Sequence, residues 1–112
     1  MGYNTYFVVT VTDDNRNTES QGSLFNEEEL NEIDKALDLE ERRGNEFGGT
    51  SKWYDWEKDL RNLSKKYPNL FFEVEGMGEE NGDLWKAWFK AGKAQIEQAV
   101  ITYGKFNEEK MT

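Results

Sequence analysis

The stretch LFFEVEGMGEENGDLWKAWFKAGK, residues 70–93, decides the fold. Two runs rich in apolar and aromatic residues, 70–75 and 84–90, flank Asn81-Gly82, the strongest short hairpin signal a sequence carries. With Asn81 and Gly82 as the central turn residues, Val74 faces Phe89, Phe72 faces Ala91 and Gly76 faces Ala87, which makes one face of the hairpin apolar. The other face sets Glu73 against Lys90, Glu75 against Trp88 and Met77 against Lys86, so the acids of one strand meet the lysines of the next. Such exposed pairs favour a register and contribute only about a few tenths of a kcal/mol each. Gly76 and Gly78 leave room for a wider tip or a bulge, since glycine inside a strand often marks one. A second tight turn at Ala91-Gly92 leads into a third run, 95–103 (QIEQAVITY), which completes a three-strand meander.

Upstream of this meander the pattern changes from period two to helical spacing. Residues 3–12 (YNTYFVVTVT) are β-branched and aromatic and read as a strand, with Phe7, Val9 and Val11 on one face. Residues 13–25 are polar and turn-forming, with a short return strand at 23–25. Asn26 with Glu29 forms a capping-box pattern, and the acids of the first turn suit the positive end of a helix dipole. Leu30, Ile33 and Leu37 form the apolar stripe of that helix, which the pattern closes near Arg42-Arg43-Gly44, where the arginines complement the negative end. Residues 44–51 (GNEFGGTS) read as a glycine-rich connection without the Gly-Lys-Ser/Thr of a phosphate loop, and Thr50 or Ser51 caps a second helix. Trp53, Trp56, Leu60, Leu63 and Tyr67 lie on one face of that helix, which must finish before Pro68.

The expected fold is therefore a single α+β domain over residues 1–112, with 105–112 a loose tail. An antiparallel sheet of the N-terminal strand and the C-terminal meander carries two helices packed on one face. The order helix, Tyr-Pro, strand, hairpin also resembles ferredoxin-like domains of plasmid and phage proteins.

Composition removes most function classes. The 112 residues include no cysteine and no histidine, which excludes disulfides, thiolate nucleophiles, Ser-His and Cys-His pairs and the usual zinc and haem ligands. A net charge of −9 argues against general affinity for nucleic-acid backbones or anionic membranes and favours a basic partner. The N-terminus has no basic region and only a short apolar run, so the expected location is the cytoplasm, inside the host cell for a phage-encoded protein.

The charge is blocked rather than spread. Residues 26–46 hold nine acids and three bases, and 69–83 hold five acids and no base. Glu27, Glu28 and Glu32 on the first helix, and Glu79, Glu80 and Asp83 at the hairpin tip, would form one negative ridge if that helix lies beside the tip, a surface able to compete for a nucleic-acid groove. The tip has three oxygen donors but no complete ligand set for calcium or magnesium, and no enclosed cleft for paired-carboxylate catalysis. A calcium loop at 13–24 fails because its sixth residue is Thr18 and its twelfth is Leu24. No catalytic, cofactor or metal residue is assigned. Trp88, outward-facing among Lys86, Lys90 and Glu75, is the one aromatic placed to anchor a protein partner.

One resemblance concerns the C-terminal half. LSKKYPNLFFEVEGMGEENGDLWKAWFKAGK, residues 63–93, is similar to a group of small phage and prophage proteins of unassigned function that share Ser-Lys-Lys-Tyr-Pro, Gly-x-Gly-Glu-Glu-Asn-Gly-Asp and Phe-Lys-x-Gly-Lys. The resemblance implies a phage setting, in which small acidic proteins resemble anti-CRISPR inhibitors. It points to a non-enzymatic binding protein that engages a host protein such as a basic nucleic-acid-binding effector. The alternative is an accessory module that forms homo-oligomers through a free sheet edge or the Trp88 face.

Overall fold

The computed structural model describes residues 3–13 and 27–112. Six strands, β1 (Thr5–Asp13), β2 (Glu41–Arg43), β3 (Glu46–Ser51), β4 (Leu70–Gly78), β5 (Leu84–Lys90) and β6 (Lys93–Gln98), form one antiparallel sheet in the order β2-β3-β1-β4-β5-β6. Two helices, α1 (Glu27–Leu37) and α2 (Trp56–Lys66), lie between strands in the chain, so the first six elements follow a β-α-β-β-α-β order to which β5 and β6 are appended. The α+β reading and the helices on one face hold. Among the described residues no helix is long and apolar enough to cross a membrane.

Alternation builds the core. Phe7, Val9 and Val11 of β1 oppose Gly76, Val74 and Phe72 of β4, and all five side chains are buried with Phe47, Ala87 and Phe89. Leu30, Ile33 and Leu37 of α1 and Leu60 of α2 close over this face. Trp56 stacks on Trp85 with ring centroids 4.1 Å apart, and Phe7 meets the edge of Trp85 at 5.9 Å.

The hairpin register differs from the expected one by two residues. Phe72 pairs with Phe89, Val74 with Ala87, Glu73 with Trp88, Glu75 with Lys86 and Met77 with Leu84. A shift of two preserves every inward and outward assignment, because side chains repeat every second residue. Its cause lies at the tip. Asp83 N donates to Glu80 O at 3.1 Å around Asn81-Gly82 as anticipated, while Gly78 N donates to Asp83 O at 2.8 Å, so residues are left over on the β4 side as a bulge. The second turn is as expected: Ala91 and Gly92 both have positive φ, and Lys90 pairs with Lys93.

Four boundaries are corrected. Helix α1 ends at Leu37, where Asp38 takes φ +51, because no apolar residue continues the Leu30-Ile33-Leu37 stripe at helical spacing. Arg42 therefore does not serve the helix C-terminus; it sits on edge strand β2 and reaches back to Asn31 Oδ1 at 2.6 Å and Glu27 at 3.2 Å. Residues 44–51 are no mere connection: Gly44-Asn45 turns β2 into β3, and β3 pairs with β1 from Thr5–Ser51 to Thr10–Glu46. Glycine is required there because a Cβ at Gly49 would come within 2.7 Å of Glu40 N.

Thr50 and Ser51 belong to β3, so Asp55 stands at the N-cap of α2, and Trp53 reaches the core from the preceding connection by packing on Phe7 at 5.2 Å. Strand β6 spans Lys93–Gln98 rather than 95–103; a single 3-10 turn, Glu108–Lys110, capped by Asn107, follows near the end of the chain. The return strand at 23–25, the Asn26 cap and the 13–24 loop fall wholly or largely outside the described residues.

Candidate functional site

The tip of the β4–β5 hairpin is a clamp. Tyr3 Oη donates to Asp83 Oδ2 at 2.6 Å and accepts from Glu80 N at 3.0 Å, while Asn4 N donates to the Glu79 carboxylate. The hydrogen bond to Asp83 is the main reason the Tyr3 phenol ionises above its ordinary range. Close approach explains Gly78, where a Cβ would lie 2.0 Å from Asp83 Oδ2. Glu79 and Asp83 thus tie the start of β1 to the tip, whereas Glu80 contributes its backbone N–H to the same clamp. Among the described residues no group of three or more carboxylates has the arrangement of an ion site.

The acids of α1 are held elsewhere. Glu27 pairs with Arg42 at 3.2 Å, and Glu32 accepts from Tyr67 Oη with Lys66 Nζ at 3.9 Å. Burial, helped by the bond to Glu32, pushes the Tyr67 phenol up to about 12. Tyr67 adjoins Leu70, the start of β4, and the tip lies past Gly78, its end. A strand of that length spans roughly 25 Å. Glu32 and the tip carboxylates, Glu79, Glu80 and Asp83, therefore stand at opposite ends of the sheet and do not form one ridge. Glu28 lies exposed in the first turn of α1.

The face of the sheet away from the helices is different. Among the described residues no helix or strand layer covers it. Alternation sends Tyr6 and Val8 of β1, Met77 of β4 and Leu84 and Trp88 of β5 outward, and these line an open groove of about 560 Å³. Tyr6, Met77 and Leu84 are 40%, 56% and 37% exposed, and Trp88 is half-buried, standing between Glu73 and Gln95 on the neighbouring strands. Lys86 Nζ lies 3.5 Å from Glu75 and 3.9 Å from Glu73, which neutralises part of the acidic rim. Glu97, from β6, completes it.

Of the residues singled out from sequence, Trp88 alone lies in this groove; Glu27, Glu28, Glu32, Glu79, Glu80 and Asp83 do not line it. Tyr6, Val8, Met77 and Leu84 were not singled out. The signal was present in β1, where Tyr6-Phe7-Val8-Val9 is apolar without interruption, as befits a strand with apolar side chains on both faces. Met77 and Leu84 follow from the alternation that places Trp88 outward. The chain matches no protein-family model, no curated protein and no solved structure.

Proposed function

We propose that this chain is a non-catalytic protein-binding module that meets its partner through the outer face of the sheet, with Trp88 at the centre. The observation that carries this reading is the apolar cluster of Tyr6, Val8, Met77, Leu84 and Trp88 on strands that no helix or strand layer covers among the described residues. Such a cluster on regular strands is held rigid, so a partner loses little freedom in ordering it, and an indole beside aliphatic carbons is a common centre of binding energy. Glu75 and Glu97, with Glu73 opposite Trp88 beside the groove, give this face a negative balance against Lys86, in keeping with the net charge of −9, and favour a cationic contact.

An inhibitor of a host defence nuclease, the function the phage resemblance implies, would use this same face. The acidic-mimic version of that reading draws less support, because Glu79 and Asp83 hold Asn4 and Tyr3, Glu27 is paired with Arg42, and Glu32 stands at the opposite end of β4.

A photo-crosslinking residue at position 88 tests the reading in the native host, with the same residue at exposed Lys58 on α2 as the control. A discrete protein adduct from position 88 and none from position 58 is expected. Equal adduct patterns from both positions, or none from position 88, would overturn the proposal.

A further inference from the structure

The end of the chain carries a second apolar surface. Ala99 N still donates to Leu84 O at 2.8 Å, extending the β6 ladder by one residue, and Ile101 Cδ1 passes 3.5 Å from where a Cβ on Gly82 would stand. Val100, Tyr103 and Phe106 are 87%, 91% and 80% exposed, and Ile101 is 54% exposed. The Cα radius of gyration is 16.9 Å, against about 13 Å for a compact domain of this size. Residues 99–103 (AVITY) are strongly β-forming, yet they pair with nothing beyond Ala99 among the described residues.

Two apolar surfaces in one chain, a groove and an arm, are thus left open to water. They are adjacent without being joined: Gln98 and Ala99, at the root of the arm, also border the groove, but Ile101 lies against Gly82 at the hairpin tip and residues 100–106 do not line the groove. The charges complement each other. Lys105 is the one charged residue between Ala99 and Asn107, and the groove is lined by Glu75 and Glu97, with Glu73 opposite Trp88 beside it, against Lys86.

We propose that the arm, residues 99–106, of one copy lies in the outer-face groove of a second copy, and that the exchange is reciprocal about a two-fold axis. This inference rests on the outer face being a protein-binding surface and names the occupant of that surface. A two-fold exchange uses each contact twice. Two aromatic and two aliphatic side chains per arm, with the groove surface they cover, amount to roughly 2,000 Å² over both contacts, within the range of stable interfaces. Because each copy carries a net charge of −9, self-association strengthens with added salt, whereas binding to a basic protein weakens.

Sedimentation velocity on the full chain, with an arm variant (Tyr103→Asp with Phe106→Asp) and a groove variant (Trp88→Asp), decides the matter. The wild type should dimerise at micromolar concentration, and each variant alone should have its dissociation constant raised at least tenfold. Mixing the two variants should restore a heterodimer, since one intact arm then meets one intact groove. Native circular dichroism of both variants, unchanged from the wild type, guards against simple misfolding. A wild-type monomer up to millimolar concentration overturns the exchange. So does a dimer indifferent to the groove substitution, which would indicate pairing through the β6 edge, and so does a mixture that stays monomeric. A monomer whose position-88 crosslink captures a different protein would sink the exchange while leaving the binding-module reading in place.

Discussion

Trp88 and Phe89 are neighbours on β5 and point to opposite faces of the same sheet. Phe89 is 1% exposed and meets the edge of Trp56 at 6.2 Å, inside the layer that α1 and α2 close. Trp88 is half-buried on a face that no such layer covers among the described residues, beside Glu73, Lys86 and Gln95. Both are large aromatics, so hydrophobicity alone does not separate their roles. What separates them is parity along the strand: the inner residue stabilises the fold, and the outer one is left for contact with something else.

The contrast is open to attack at several points. Phe89→Ala should destabilise most, by about 3–5 kcal/mol, because it leaves a cavity under a closed layer; urea unfolding measures this. Gly76→Ala comes next, at about 1–3 kcal/mol. A Cβ there would lie 2.0 Å from Trp85 Cε2, so the indole must move off its stack with Trp56, and the far-UV exciton band of that pair should weaken. An unchanged band with unchanged stability would show that the inner face is looser than described.

Tyr67→Phe should remove about 0.5–1.5 kcal/mol at neutral pH by deleting the hydrogen bond to Glu32. It also carries a pH signature. Unfolded tyrosine ionises near pH 10, whereas Tyr67 in the fold holds its proton up to about 12. The folded state binds this proton more tightly, so the contribution is complete below about pH 10 and is lost as the pH rises through about 12. The stability difference between wild type and Tyr67→Phe should accordingly shrink across that window. Lys86→Ala, on the outer face, should change stability least, by no more than about 0.5 kcal/mol, since its pairs with Glu73 and Glu75 are exposed.

Much of this architecture was legible because it depends on local periodicity. Leu30, Ile33 and Leu37 fix the buried stripe of α1, Asn81-Gly82 and Ala91-Gly92 fix two turns, and the hairpin faces survive even though the register moves by two. Local preference fails where distant residues override it. Strand β3 contains Gly48 and Gly49, poor strand formers read locally; Glu40 crosses over Gly49, and the Tyr6 hydroxyl would lie 3.3 Å from a Cβ on Gly48. The bulge at Gly78 and Glu79 follows from the Tyr3 clamp, whose partners lie about 80 residues apart in the chain.

The candidate site was legible only in Trp88. Leu84 and Lys86 share its strand, whereas Tyr6 and Val8 of β1 reach the groove only because Tyr6 pairs with Met77 and Val8 with Glu75 of β4, more than sixty residues away in the sequence. The acids of the two charge blocks are held by different partners, Glu27 by Arg42 and Glu32 by Tyr67 on one side and Glu79 and Asp83 by Asn4 and Tyr3 at the tip, a division that composition does not reveal.

The most direct measurement compares Trp88→Ala with Phe89→Ala by urea unfolding at concentrations low enough to keep the chain dissociated. With the outer face open, the loss should be near 1 kcal/mol or less at position 88 against about 3–5 kcal/mol at position 89. An equal loss at Trp88 and Phe89 would mean that the outer face is a second core and not a surface left open for binding.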